Sequence, residues 1–179
     1  HGVLLMDLVT DDAGHSAPRL GEVDLEPEQA RAFHTSLIGD VVKMLSLGLV
    51  HGDLSEYNVL VSPDGPVVID FPQVVSAAGN NAARDMLLRD VHNLRDCLGR
   101  FAPELLDTHY GEEMWALFEK GELRPDSVLT GRFKFDTRGA DVRAVRASIE
   151  DARQENLIRQ QGREAAAFDH LGKVEHVVQ

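Results

Sequence analysis

An α+β fold, mainly helical with one small β-hairpin near its centre, is predicted by three features of the sequence. Apolar residues recur at three- and four-residue steps over 27–47 and 82–98, the period of a helix with one buried face. Two short β-branched runs, Val59–Val61 and Val67–Ile69, flank Pro63-Asp64-Gly65, the pattern of a tight hairpin. A hydrophobic content of 43% over 179 residues suffices for a single core.

Taken in order, Val3–Val9 is an apolar run interrupted only by Asp7, expected as a strand leaving the core. Pro27 suits a first helical position, and Ala30, Phe33, Leu37, Val41 and Leu45 form an inward stripe that ends before Gly48. His34, on the flank of that stripe, is a surface or packing residue rather than a ligand. The loop at 51–58 and the hairpin at 59–69 follow, with Leu60 and Ile69 as its bracketing apolar residues. Ser76–Asn81 is small and polar, a loop. The helix over 82–98 turns Ala83, Leu87, Val91, Leu94 and Leu98 to one face, with Asn81 placed to cap it. Two shorter helices, 103–109 and 112–120, bring Trp115 and Phe118 to the core, and 125–131 is a turn-rich connector. A last amphipathic helix is expected over 141–161, with Val142, Val145, Ile149 and Ala152 inward. Residues 162–179 have weak periodicity and read as a tail. No internal repeat is visible.

The chemistry concentrates in His51-Gly52-Asp53-Leu54-Ser55-Glu56-Tyr57-Asn58 and Ile69-Asp70-Phe71-Pro72-Gln73. An aspartate, an asparagine five residues on and a second aspartate twelve beyond it have the order and spacing of a kinase phosphoryl-transfer centre. A metal–ATP complex needs hard oxygen ligands, which Asn58 and Asp70 can supply. The acceptor hydroxyl needs a carboxylate to orient it and take its proton, a role that suits Asp53. A carboxylate directly after Val67-Val68-Ile69 is costly to bury unless a cation partners it. His51 lacks a second histidine or cysteine at metal-binding spacing, so it is not a zinc ligand. Ser55 can bond phosphate, Asp53 or the loop itself.

These two motifs resemble the catalytic and metal-binding loops of RIO-type atypical protein kinases. Ordinary protein kinases have His-Arg-Asp and Asp-Phe-Gly where this chain has Gly52 and Pro72. Aminoglycoside phosphotransferases share His-Gly-Asp but continue differently, so Ser55-Glu56-Tyr57 and Phe71-Pro72-Gln73 favour the RIO likeness. The resemblance implies a protein-kinase-like carboxy-terminal lobe over 1–161 and a serine/threonine kinase activity. ATP and Mg2+, or Mn2+, are the implied cofactors. Asp53 is the implied base and Asn58 and Asp70 the metal ligands, with His51 and Ser55 supporting. The run at 1–9 becomes a hinge, in which Met6, Asp7 and Val9 face adenine, with Leu60 and Ile69 as the floor beneath. Asp90 either anchors the catalytic loop through backbone hydrogen bonds or lies on a solvated face. Some RIO proteins act chiefly as ATPases, passing phosphate to the aspartate that Asp70 resembles. The acceptor is a protein hydroxyl or the kinase itself, and a link to ribosome maturation comes from the resemblance alone.

Eighteen basic against thirty acidic residues give a net charge of −12, which argues against direct nucleic-acid binding. No run reaches the roughly 18 apolar residues of a membrane span. A single cysteine, Cys97, forms no internal disulfide, so a cytoplasmic setting is expected. Gly-x-Gly is absent, and every lysine (Lys43, Lys120, Lys134, Lys173) follows the hinge. The amino-terminal lobe is therefore expected to lie outside these residues, which alone would be inactive. The competing expectations are a small-molecule phosphotransferase of the aminoglycoside or choline kinase type and an inactive lobe serving as a binding module.

Overall fold

Helix α1, Pro27–Ser46, carries Pro27 in its first turn and places Ala30, Leu37, Ile38, Val41, Val42 and Leu45 in the core. At its start the Gln29 side chain accepts the Glu26 N–H at 3.1 Å. Gly48, at φ +75°, turns the chain out of the helix. The computed structural model describes residues 7–135. The expected helix over 141–161, the tail at 162–179 and Met6 lie outside that range. The chain divides into two units, His1–Phe133 and Lys134–Gln179; of the second, only Lys134 and Phe135 are described, and both are irregular.

After α1 come strand β1, Leu49–Val50, the loop at 51–58, and the hairpin of β2, Val59–Ser62, with β3, Gly65–Val68. The hairpin pairs Val59 with Val68 and Ser62 with Gly65, leaving Pro63 and Asp64 as its two-residue turn. Strand β4, Val75–Ser76, returns antiparallel to β1, pairing Val50 with Val75. The sequence expectation of a loop beginning at Ser76 therefore needs correcting: a two-residue strand is too short to show a period. The segment before α1 lies alongside β2, with Arg19 bridging Leu60 and the Val61 N–H donating to the Pro18 carbonyl at 2.8 Å. Asp7–Val9 carry no regular structure, and the first bridge pairs Thr10 with Ser16.

Helix α2, Ala83–Leu98, buries Ala83, Leu87, Val91, Leu94 and Leu98, the predicted stripe. The Asn80 side chain, not Asn81, accepts the Ala82 N–H at 2.9 Å ahead of it. A 3-10 turn over Pro103–Asp107 leads to α3, Tyr110–Glu119. Within α3, Met114 is fully buried, while Trp115 and Phe118 are half-buried against the core with their rings 5.4 Å apart. His34 is buried in α1 and packs against Tyr110, with the ring centroids 5.3 Å apart and the planes tilted by 55°, which makes it a packing residue. Burial, with Arg95 nearby, pushes its imidazole down to about 4, so it is neutral. Among the described residues, no helix is long and apolar enough to cross a membrane.

Candidate active site

The loop at 51–58 is fixed to the body of the fold by its own apolar residue and by α2. Leu54 is fully buried in the core, an anchor worth about 1.5–3 kcal/mol. Asp90, 1% exposed on α2, accepts the Gly52 N–H at 2.7 Å and the Leu54 N–H at 3.0 Å. Arg89 donates to the Gly52 carbonyl, and the Asn93 amide donates to the Leu54 carbonyl at 2.9 Å. The open alternative for Asp90 is thus resolved in favour of a loop anchor. Burial pushes its carboxyl up to about 7, although the Gly52 and Leu54 N–H groups and Arg89 pull the other way. Asp53 adds to the upward push by repulsion.

Asp53 is half-buried at the crown of this loop. A turn closes behind it, the Asn58 N–H donating to the Ser55 carbonyl at 3.0 Å. That turn brings the Asn58 side-chain amide back to the Asp53 carbonyl at 2.7 Å. With its NH2 committed there, the Oδ1 of Asn58 is the end left to meet a cation. The Asn58 carbonyl accepts the Ile69 N–H at 3.0 Å, and His51 Nε2 donates to the Ile69 carbonyl at 3.0 Å. His51 thereby joins the loop to the residue before Asp70, and its ring lies 5.5 Å from that of Phe71. The backbones that carry Asp53, Asn58 and Asp70 are linked through two hydrogen bonds and one peptide bond.

Asp70 is exposed, and its side chain caps no backbone N–H. The expected cost of burying its carboxylate therefore does not arise. What distinguishes it is its backbone: at φ 69°, ψ 54° it is the non-glycine residue with positive φ among those described. Aspartate tolerates that region better than most residues, yet the strain is characteristic of functional positions. Gly52, at φ +84°, also needs its missing side chain, because a Cβ there would stand 3.2 Å from the Gln73 carbonyl.

Ser55 Oγ and His51 Nδ1 are buried without a hydrogen-bond partner, so Ser55 does not make the loop-stabilising bond that was one of its expected roles. Leu60 and Ile69 are half-buried on the hairpin. Asp7 is exposed, and the Val9 carbonyl accepts the Ala17 N–H at 2.9 Å, leaving the Val9 N–H as the group it could offer a base. Among the described residues, no group of three or more His, Cys, Asp or Glu side chains is arranged to hold a metal. One asparagine and one carboxylate suit magnesium, which keeps water and phosphate oxygens as its remaining ligands. Sequence reading assigned no role to Arg89 or Asn93, which look like ordinary polar residues of a helix until their carbonyl partners are placed.

The RIO domain family model matches residues 1–110. The chain is 42% identical over 94 residues to the RIO-type serine/threonine-protein kinase Rio1 of Methanocaldococcus jannaschii, covering 51% of this chain and 31% of that protein. It is 40% identical over 101 residues to the Rio1 of Haloferax volcanii, covering 55% and 32%. Against the serine/threonine-protein kinase RIO2 of Caenorhabditis elegans it is 36% identical over 96 residues, covering 53% and 17%. The chain thus spans no more than about a third of the length of these relatives. A crystal structure of a Rio2 kinase–ADP/Mg2+–phosphoaspartate complex from Chaetomium thermophilum overlays with a TM-score of 0.45 at 22% identity, covering 78% of this chain and 44% of that one.

Proposed function

The chain belongs to the RIO domain family, and from that premise we propose that the protein transfers the γ-phosphoryl group of ATP to a protein hydroxyl, its own included. The site lies within the first unit, His1–Phe133. Asp53 orients the acceptor hydroxyl and takes its proton as the oxygen–phosphorus bond forms and ADP departs. Asn58 and Asp70 would hold Mg2+, or Mn2+, and the ion would supply charge neutralisation for the phosphates. Asp7 and Val9 are assigned to the adenine side, with Leu60 and Ile69 beneath; Met6, assigned with them by resemblance, lies outside the described residues. The observation that carries this reading is the chain of contacts from the Asp53 carbonyl through Asn58 to Ile69, which gathers the backbones of all three polar residues.

A second reading is favoured by the exposure of Asp70. In it, a carboxylate oxygen of Asp70 attacks the γ-phosphorus, ADP leaves, and water hydrolyses the aspartyl phosphate. One experiment separates the two. The full-length protein is incubated with γ-labelled ATP, Mg2+ and a generic protein acceptor, and the product is treated with hydroxylamine. Label stable to hydroxylamine on serine or threonine supports the kinase reading, and label released by it supports the ATPase reading. In a parallel incubation with choline and an aminoglycoside added, label on either with none on protein would replace both with a small-molecule phosphotransferase.

A further inference from the structure

Four consecutive peptide units around Asp53 are each held by a side chain. The unit between residues 51 and 52 gives its N–H to Asp90 at 2.7 Å. The next unit offers the Gly52 carbonyl, which accepts from Arg89. The unit after Asp53 is held on both edges, its N–H by Asp90 at 3.0 Å and its carbonyl by Asn58 at 2.7 Å. The fourth offers the Leu54 carbonyl, which accepts from Asn93 at 2.9 Å.

The two units that meet at the Asp53 Cα set its φ and ψ, and with them the direction of its Cβ. Arg89 holds the first of these directly. Asn93 holds the unit beyond the second, so Leu54 is prevented from rotating and carrying its neighbour with it. Arg89 and Asn93 are four residues apart and share one face of α2, separated by about 6 Å along the axis. Two residues of loop span at most about 7 Å. One turn of helix thus lies within the reach of the two residues that separate the carbonyls flanking Asp53. Asp90, between them in sequence, meets the amides. We propose that Arg89 and Asn93 are positioning residues that aim the Asp53 carboxylate, acting through the carbonyls of Gly52 and Leu54. This inference rests on the proposed role of Asp53 as the base.

It makes a particular kinetic demand. The nucleotide is assigned to Asn58, Asp70 and the adenine-facing residues, whereas Arg89 and Asn93 donate to the carbonyls of Gly52 and Leu54. Loosening Asp53 should therefore slow transfer without weakening nucleotide binding, since an ångström-scale misplacement of a catalytic group costs up to about 100-fold.

The test uses the full-length protein carrying Arg89→Ala, Arg89→Lys, Asn93→Ala or Asp53→Ala. It measures kcat per folded molecule and the Kd for Mg-ATP. Should Asn93→Ala fail to fold, Asn93→Asp keeps the side-chain volume and removes the donor. The expected result is a roughly 10- to 100-fold fall in kcat for Arg89→Ala and Asn93→Ala, with Kd within about twofold of the parent. Arg89→Lys, which retains a donor, should recover most of the loss. Parental kcat in both alanine variants beside an inactive Asp53→Ala would overturn the inference while leaving the role of Asp53 intact. Equal losses in kcat and nucleotide affinity, without rescue by lysine, would also overturn it, since they signal general disturbance. An active Asp53→Ala would remove the base assignment itself.

Discussion

Asp90 and Gly52 are joined by a 2.7 Å hydrogen bond from the glycine N–H to a carboxylate that is 1% exposed. The same carboxylate takes the Leu54 N–H at 3.0 Å. A helix thereby holds the backbone of a loop met almost forty residues earlier.

That bond has a pH signature. Burial raises the folded-state value of Asp90 from 3.8 to about 7. Between those limits the folded chain binds more protons than the unfolded one, so this group's contribution to stability falls as pH rises. The stability of Asp90→Asn relative to the parent should improve on going from pH 5 to pH 7, by up to about 1.4 kcal/mol per pH unit. Urea denaturation at both pH values checks this; a constant difference would show that Asp90 titrates normally.

His34 predicts the opposite slope. Burial lowers its folded value from 6.5 to about 4, so the unfolded chain binds more protons in that interval. Stability from this group is present above 6.5 and is lost as pH falls towards 4. His34→Phe should therefore gain on the parent as pH drops from 7.5 to 5. The same denaturation series reads both effects, and a gain in the other direction would exclude a buried neutral imidazole.

Gly52 is constrained twice, by φ +84° and by the Gln73 carbonyl 3.2 Å from where a Cβ would stand. Gly52→Ala should cost about 1–2 kcal/mol from the left-handed backbone alone. Gly52→Arg, which installs the residue ordinary protein kinases have there, should cost more. Denaturation midpoints compare them, and an unchanged midpoint for Gly52→Ala would mean that the loop relaxes freely.

Asp53→Ala should lower phosphoryl transfer by about 100-fold or more, the usual range for loss of a general base. Far-UV circular dichroism should be unchanged and Mg-ATP affinity close to parental, because Asn58 and Asp70 remain. Parallel collapse of affinity and fold would instead mark Asp53 as structural.

The sequence made the hairpin legible through Pro63-Asp64-Gly65, and made α1 and α2 legible through their apolar stripes. The types of Asp53, Asn58 and Asp70, with their spacing, could be read because they follow one another along a single loop and hairpin. Other features depend on distant partners. Asp90 on a helix looks the same in sequence whether it faces water or two amides, and Arg89 and Asn93 resemble ordinary solvated polar residues until their carbonyl partners are placed. Strands β1 and β4, two residues each, are too short for alternation to appear. The cost argument for Asp70 failed because it presumed burial, whereas the residue is exposed and marked instead by its left-handed backbone.

In the proposed reaction Asp53, Asn58 and Asp70 act together on a divalent cation and its triphosphate, and Asp70→Asn in the full-length protein removes one of the three. Asparagine tolerates the φ 69° backbone, so the fold is kept while one ligand charge is lost. With γ-labelled ATP and Mg2+, turnover should fall by at least about 100-fold; a folded variant that turns over near the parental rate would show that Asp70 is not a ligand of the reacting nucleotide's cation.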